Sequence, residues 1–333
     1  MRVTRNIQVP TGNILVADGS RGQLEFLSLG DYGKDVNLKC DAMGLSRIPS
    51  PVRHTTLLPL SEKWVVTIST QYGCSMGCEF CDVPRVGPGR NATLRDLQGE
   101  ILVALSLHPE ITTTSRLNIH FARMGEPTWN PAVLECGKWL KEHLDPEYHV
   151  HPVVSTMMPR KNEWLKTFIH TWMRLKNRVY GGSAGLQLSV NSTDEGERSK
   201  MFNGNACTLD EVADIMKGIV PVGRKITLNF AIAGYRIDPD VLLRWFPPEW
   251  YVCKLTPMHM TGAAIARGIS TVGDYTQYAP YQEDEERLKR AGYDVLTFIA
   301  SREEDAGRIT CGNAILSGTL PYCEYKEMPV ARD

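Results

Sequence analysis

From residue 64 onward, strand-like apolar runs alternate with amphipathic helix-like ones, and that alternation leaves few folds open. WVVTIST (64–70) reads as a buried strand, and TLRDLQGEILVALSL (93–107) as an amphipathic helix. RLNIHFA (116–122) is strand-like and is followed by a helix through AVLECGKWLKEHL (132–144). YHVHPVVST (148–156) and a helix near NEWLKTFIHTWMRL (162–175) repeat the step. LQLSVN (186–191) precedes a helix opening at Thr208, where TLDE supplies a capping box. ITLNFAI (226–232), a short helix around DPDVLLRWF and YVCKLTPM (251–258) complete six strand–helix steps. DVLTFIA (294–300) offers one more strand. Strict alternation implies an α/β fold with a parallel sheet and outer helices, either doubly wound or a full or partial barrel. In each case the active site lies at the carboxyl ends of the strands. The expected organisation is a small β-rich N-terminal extension (1–60), a barrel (61–315) and a C-terminal tail (316–333).

Composition narrows the function classes. With 42% hydrophobic and 23% charged residues and a formal net charge of -1, there is no global basic field. A local patch would still serve a nucleic-acid substrate. The first residues, MRVTRNIQVPTGNIL, lack the basic start and apolar run of a secretory signal. No stretch approaches the roughly 18 apolar residues of a membrane span. The expectation is a cytoplasmic protein with no membrane partner. In that setting clustered cysteines point to metal binding or catalysis rather than disulfides. Cys40, Cys136, Cys207, Cys253, Cys311 and Cys323 are scattered singly.

The remaining three stand together in CSMGCEFC, where Cys74, Cys78 and Cys81 begin four residues after the first strand. A structural zinc site takes four ligands, and no CxxC or HxxxH pair follows to complete one. Three thiolates from one loop suit a [4Fe–4S] cube with one iron left open to a further ligand. Gly73 and Gly77 let the loop bend tightly, and Phe80 can cover the cluster or pack beneath a flat cofactor. A zinc loop, or three cysteines brought close by chance, is the bland alternative.

The spacing resembles that of radical S-adenosylmethionine (SAM) enzymes. The resemblance implies a partial (β/α)6 radical SAM barrel, with Cys74, Cys78 and Cys81 as cluster ligands and SAM chelating the open iron. Further segments resemble the RlmN/Cfr branch of RNA methyltransferases. STQYGCSMGCEFC is similar to that branch's SSQxGCxxxCxFC, and RMGEPTWN (123–130) to its MGEP segment, placing Gly125 and Glu126 at the SAM amino group. VSTMMPR (154–160) resembles an ST-x-x-x-P stretch and makes Ser155 a SAM contact. LSVNSTDEGERSKMF (188–202) resembles SLHAPxxxxRxxxMP, which puts Ser189 on a SAM ribose or carboxylate contact and Asn191 in place of a histidine. In KLTPMHMTG (254–262), His259 stands where an asparagine would bind ribose. SREEDAGRITCGNAI (301–315) resembles SRGxDIxAACGQL, so Cys311 falls on the cysteine that receives a methyl group. The resemblance covers about residues 64–315.

Two departures matter. The branch's resolving cysteine lies seven residues before the first cluster cysteine, where this chain has Thr67. A hydroxyl cannot replace a thiolate in disulfide formation, so Cys311 would need another thiol, with Cys323 and Cys253 as candidates. The lead-in is also short, β-like and without the basic run of an RNA-binding domain. The leading expectation is therefore hydrogen abstraction from a nucleobase or modified nucleotide, giving an isomerisation or other rearrangement. An adenine-carbon methyltransferase using Cys311 is the alternative within the branch, and a non-enzymatic iron–sulfur or zinc protein the alternative outside it. An external electron donor of flavodoxin or ferredoxin type is implied. Arg85, Arg90, Arg123, Arg160, Arg198 and Arg224 are candidate phosphate contacts near the mouth. Met124, Met157, Met158 and Met258 either line a cavity or fill core.

Overall fold

A computed structural model describes residues 1–31, 38–40, 57–271, 279–300 and 302–330. The chain opens with an antiparallel meander, β1 (Arg2–Val9), β2 (Gly12–Gly19) and β3 (Gly22–Leu29), the β-rich extension expected. A short β4 (Leu38–Cys40) follows, and β5 (Trp64–Ile68) begins the barrel. β6 (Gln71–Gly73) and β7 (Pro88–Asn91) form a separate hairpin around the cysteine loop. The other barrel strands are β8 (Leu117–Phe121), β9 (Val150–Thr156), β10 (Gly185–Ser189), β11 (Ile226–Ile232), β12 (Tyr251–Pro257) and β13 (Asp294–Ile299). β14 (Lys326–Glu327) returns to pair with β1.

One 12-stranded sheet runs β14-β1-β2-β3-β5-β8-β9-β10-β11-β12-β13-β4. Its run from β5 to β13 is wholly parallel, which is the strand–helix alternation realised, with DVLTFIA as the extra strand. Helices Leu94–Ser106, Ala132–His143, Leu165–Arg174, Leu209–Met216, Pro239–Leu243 and Ala279–Arg290 make the crossovers. The capping box at Thr208 forms, and Thr93 makes a second one with Asp96.

Strand parity explains the shape. In β10, β11 and β12 the residues Gln187, Ser189, Thr227, Asn229, Val252 and Lys254 face one cavity, while Leu186, Leu188, Leu228 and Cys253 are buried against the helices. Residues of one parity from β8 to β13 enclose that cavity, so the sheet curls into a partial barrel with a lumen of about 390 Å³.

The meander is buried on both faces. Leu15, Leu24 and Phe26 share the main core with Leu97 and Ile101, while Ile14, Val16 and Leu27 pack with Ile309 and Ile315. That second cluster fixes the loop carrying Cys311. Leu316, the first residue of the C-terminal tail, packs on the same cluster. The structure also adds a short helix, Glu195–Met201, inside the segment read as a SAM-contact motif. Among the described residues no helix is long and apolar enough to cross a membrane.

Candidate active site

The cysteine loop leaves the carboxyl end of β5 through the β6–β7 hairpin. Gly73 takes φ +82, and a Cβ there would sit 2.1 Å from the Gly87 carbonyl oxygen, so only glycine fits. Gly77 takes φ +70 at the next bend. Four other segments hold the loop. Glu79 N donates to Met201 O at 2.9 Å, and Asn205 Nδ2 donates to Met76 O at 2.8 Å. Thr261 Oγ1 donates to Phe80 O at 2.6 Å, and Asp82 N donates to Gly312 O at 2.8 Å. The Asp82 carboxylate, fully buried, accepts from Gly262 N at 2.9 Å and Ala263 N at 2.7 Å. It thereby caps the helix Gly262–Ala266, which the motif gave no sign of.

Cys74, Cys78 and Cys81 all line the cavity. Burial pushes the Cys74 thiol up to about 12, with Glu126 adding to the shift. Burial, then repulsion among the neighbouring thiolates, raises Cys78 and Cys81 well above the ordinary value. Cys78 is buried and Cys74 and Cys81 are half-buried, so all three would be held as thiolates only around a strongly cationic centre. Among the described residues no three Cys, His, Asp or Glu side chains gather as for a single metal ion. The donor set fits a cube, whose ligands attach at separate corners.

Next to this loop, the turn that follows β8 carries MGEP. Gly125 takes φ +93, and a Cβ would lie 2.5 Å from Gln71 Cβ. Glu126, 2% exposed, accepts from Thr128 N at 3.1 Å, Thr128 Oγ1 at 2.8 Å and Met157 N at 2.9 Å. Burial nevertheless raises its carboxyl. Gln71 joins the two loops: its Oε1 accepts from Glu126 N at 3.0 Å and Ser75 Oγ at 3.2 Å. Its Nε2 donates to Gly89 O at 3.0 Å and Asn91 Oδ1 at 2.9 Å.

All the other residues singled out by the motifs also line the cavity: Phe80, Ser155, Ser189, Asn191, His259 and Cys311. Asn191 takes φ +59, and its Oδ1 accepts from Ala231 N at 3.0 Å, so its amide fastens β10 to β11. His259 Nδ1 lies 3.4 Å from Asp305 Oδ1. Burial alone would raise Asp305, but hydrogen bonds from His259, Thr310 and the Met260 amide outweigh it and hold the carboxyl below its ordinary value. Cys311 is exposed, yet loss of water around its sulfur raises the thiol against the opposing pull of Lys254 and Arg123. Met157 and Met258 line the cavity, whereas Met124 and Met158 lie in the main core.

Comparison with known proteins now has a geometry to meet. No family model matches the chain. A dual-specificity RNA methyltransferase RlmN of Sorangium cellulosum is 27% identical over 265 residues, 76% of this chain and 62% of that protein. A second, of Desulfosudis oleivorans, is 34% identical over 34% of this chain and 25% of its own length. The chain thus spans less than two thirds of these relatives. A crystal structure of a radical SAM methyltransferase from Sphaerobacter thermophilus superposes with a TM-score of 0.65 at 17% identity, over 94% of this chain and 81% of that one. The chain has the radical SAM fold and resembles the RlmN branch.

Within the radical SAM barrel, several expectations change. Thr67 pairs with His120 across β5 and β8, so it faces the lumen side, with no thiol to offer. Cys253 is fully buried on the opposite parity, away from the lumen, whereas Cys323 packs against the meander cluster that also holds the Cys311 loop. The arginines do not form a common patch. Arg123, 4% exposed, forms a buried ion pair with Glu25, whose Oε1 and Oε2 also accept from Ile315 N at 3.1 Å and Leu316 N at 3.0 Å. Arg123 Nη2 also donates to Arg308 O at 2.8 Å, so the pair clamps the Cys311 loop to β3. Arg198 donates to Cys207 O at 2.9 Å, Arg160 pairs with Glu211 at 3.0 Å, and Arg90 donates to Arg21 O at 3.3 Å. Arg85 Nη1 lies 3.8 Å from Asp82. Only Arg224 turns into the cavity without a protein acceptor among the described residues.

Proposed function

We propose that this chain is a radical SAM enzyme acting on a nucleobase or nucleotide. The observation that carries the proposal is the meeting of three loop thiols, the Gly125–Glu126 turn and Ser155, Ser189, His259 and Cys311 on one lumen at the carboxyl ends of the strands. Cys74, Cys78 and Cys81 would hold a [4Fe–4S] cluster, and Glu126, Ser155 and Ser189 would face SAM. When bound and reduced by an external flavodoxin- or ferredoxin-type donor, cluster and SAM supply a 5′-deoxyadenosyl radical that abstracts hydrogen from a substrate carbon.

The chain's own residues position that chemistry. Gln71 sets the Glu126 backbone against the cysteine loop, so SAM's amino end and the cluster are aligned by one side chain. The Ser155 and Ser189 hydroxyls have no protein hydrogen-bond partner among the described residues and remain available to a ligand. Phe80, edge-on to Phe202 with centroids 6.1 Å apart, closes the loop's apolar side against water.

The product is proposed to be a rearranged or hydrogen-abstracted base rather than one methylated through a resolved thiol bridge. Support comes from Thr67 and from the burial of Cys253 on the face turned away from the lumen. A second reading, methyl transfer through Cys311, is favoured by the placing of that thiol on the cavity and by the RlmN relatives. The anaerobically reconstituted protein with SAM, reductant and candidate nucleotides separates them. 5′-Deoxyadenosine alone fits rearrangement. S-adenosylhomocysteine in matching amount, lost in Cys311→Ala, fits methyl transfer. Neither product would overturn both.

A further inference from the structure

Among the described residues, the lower half of the lumen is water-reached and lined by polar neutral and cationic side chains. Ser189, Asn229, Lys254 and Leu296 lie side by side across β10–β13. One layer toward the amino ends of the strands come Ser155, Gln187, Thr227 and Val252. His120, Val153 and Gly185 form the next layer. An inward glycine at this depth leaves a gap, and Arg224 fills it. A Cβ on Gly185 would sit 2.9 Å from Arg224 Nη1 and 3.1 Å from its Cζ.

Barrel interiors of this kind are ordinarily packed with branched apolar side chains. Here the side chains of His120, Gln187, Asn229 and Arg224 line the cavity with no protein hydrogen bond of their own among the described residues. Lys254 reaches the same space with its ammonium 5.5 Å from the Phe298 ring centroid. Among the described residues the only carboxylate lining the cavity is Glu126, at the other end and already accepting from Thr128 and Met157. Arg116 and Lys176 lie close enough to Arg224 to be felt electrostatically, which adds positive field at this end. His120 is correspondingly held neutral: burial, then Lys254 and Arg224, depress its pKa to about 3. An anion entering here would relieve the repulsion between these groups and take up the side-chain donors of Arg224, Gln187 and Asn229.

We infer that Arg224, Lys254 and His120 form an anion subsite that holds the phosphate of a small phosphate monoester, with its remainder directed up the lumen toward Cys311 and the cluster loop. Taken with the proposed function, the substrate is a free nucleoside monophosphate. Polarity separates this from a polymer. A base flipped out of a nucleic acid enters a site base first and leaves its phosphates at the mouth. Arg224 is exposed at the amino ends of the strands, and a base inserted from the rim would meet these cations instead of laying its backbone on them.

Calorimetric titration of the reconstituted holoenzyme tests the subsite without turnover, using the four nucleoside 5′-monophosphates, their nucleosides, inorganic phosphate and a single-stranded RNA oligonucleotide. At least one monophosphate is expected to bind about tenfold or more tighter than its nucleoside, the strength of a charge-assisted contact. Arg224→Gln and Lys254→Gln should each remove most of that preference, and Arg224→Lys should restore part of it. Lys254→Gln carries the test if Arg224→Gln does not fold. Monophosphates binding no tighter than nucleosides would overturn the inference. So would an oligonucleotide binding tighter than every monophosphate with an affinity indifferent to Arg224→Gln. Phosphate preference without 5′-deoxyadenosine formation would sink the radical reading and leave the subsite standing. Radical formation without phosphate preference would do the reverse.

Discussion

Among the described residues, nearly every polar group at the upper rim is engaged by the protein, while in the lower lumen the side chains of Gln187, Asn229, His120 and Arg224 are not. Asp82, Gln71 and Glu126 each satisfy several neighbours and tie the cysteine loop to the MGEP turn, the helix Gly262–Ala266 and the Cys311 loop. Gln187, Asn229 and Arg224, from neighbouring strands of the same sheet, point into open space. The difference separates geometry from recognition. Chemistry at the rim needs loops fixed in place, and a buried network fully satisfied does that. Recognition in the lumen needs donors kept ready for a ligand, which costs little while water reaches them.

The largest effect should come from the rim's thiols. Cys78→Ala is expected to reduce bound iron to background and abolish 5′-deoxyadenosine formation. Cys253→Ala, outside the lumen, should keep both, as read by iron assay and product mass spectrometry. If Cys78→Ala kept its iron, rim and lumen would not differ as described. The clamp that holds the rim to the meander comes next. Arg123→Ala strands the Glu25 carboxylate and should cost about 3–5 kcal/mol in denaturant unfolding. Loss of no more than a surface pair's worth would mean that Glu25 has other relief.

A smaller and more selective effect is expected from Gln71→Ala. It removes hydrogen bonds that align Ser75 with Glu126 and should weaken SAM binding about tenfold at unchanged iron content. Equal weakening in a Gln187→Ala protein would erase the distinction between the two regions for SAM. The smallest effect is in pH dependence. Glu100, fully buried beneath the rim, accepts from Ser69 N at 3.1 Å through one oxygen only. Burial holds its carboxyl well above its ordinary value, so the folded chain keeps a proton that the unfolded chain releases. Stability should therefore fall as pH rises above the ordinary glutamate range toward the folded value, by up to about 1.4 kcal/mol per pH unit. Glu100→Gln should flatten that slope in melts followed across pH.

The same contrast explains what was legible beforehand. Rim residues sit in short contiguous motifs, so CSMGCEFC and MGEP announce themselves by spacing, and the strand–helix rhythm supplies the order. The lumen draws one residue from each of several distant strands, and its members become neighbours only through strand register. A faint signal existed. Gln187, Asn229 and Lys254 interrupt runs that a sheet covered by helices would keep apolar. Parity could also have excluded Cys253, since Lys254 beside it faces inward. Glu195–Met201 escaped notice because EGERSKM carries no apolar stripe, its helix resting on an Asp194 cap whose carboxylate accepts from Glu197 N at 2.9 Å. Gln71 was hidden by the cysteines it serves.

The central claim is that three thiols from one loop hold an iron–sulfur cube whose fourth iron is free to bind SAM. Electron paramagnetic resonance of the anaerobically reconstituted, reduced protein, recorded with and without SAM, meets it head-on. A reduced [4Fe–4S] signal that changes shape when SAM is added is the expected result. A signal indifferent to SAM, or a protein carrying zinc in place of iron, would contradict it.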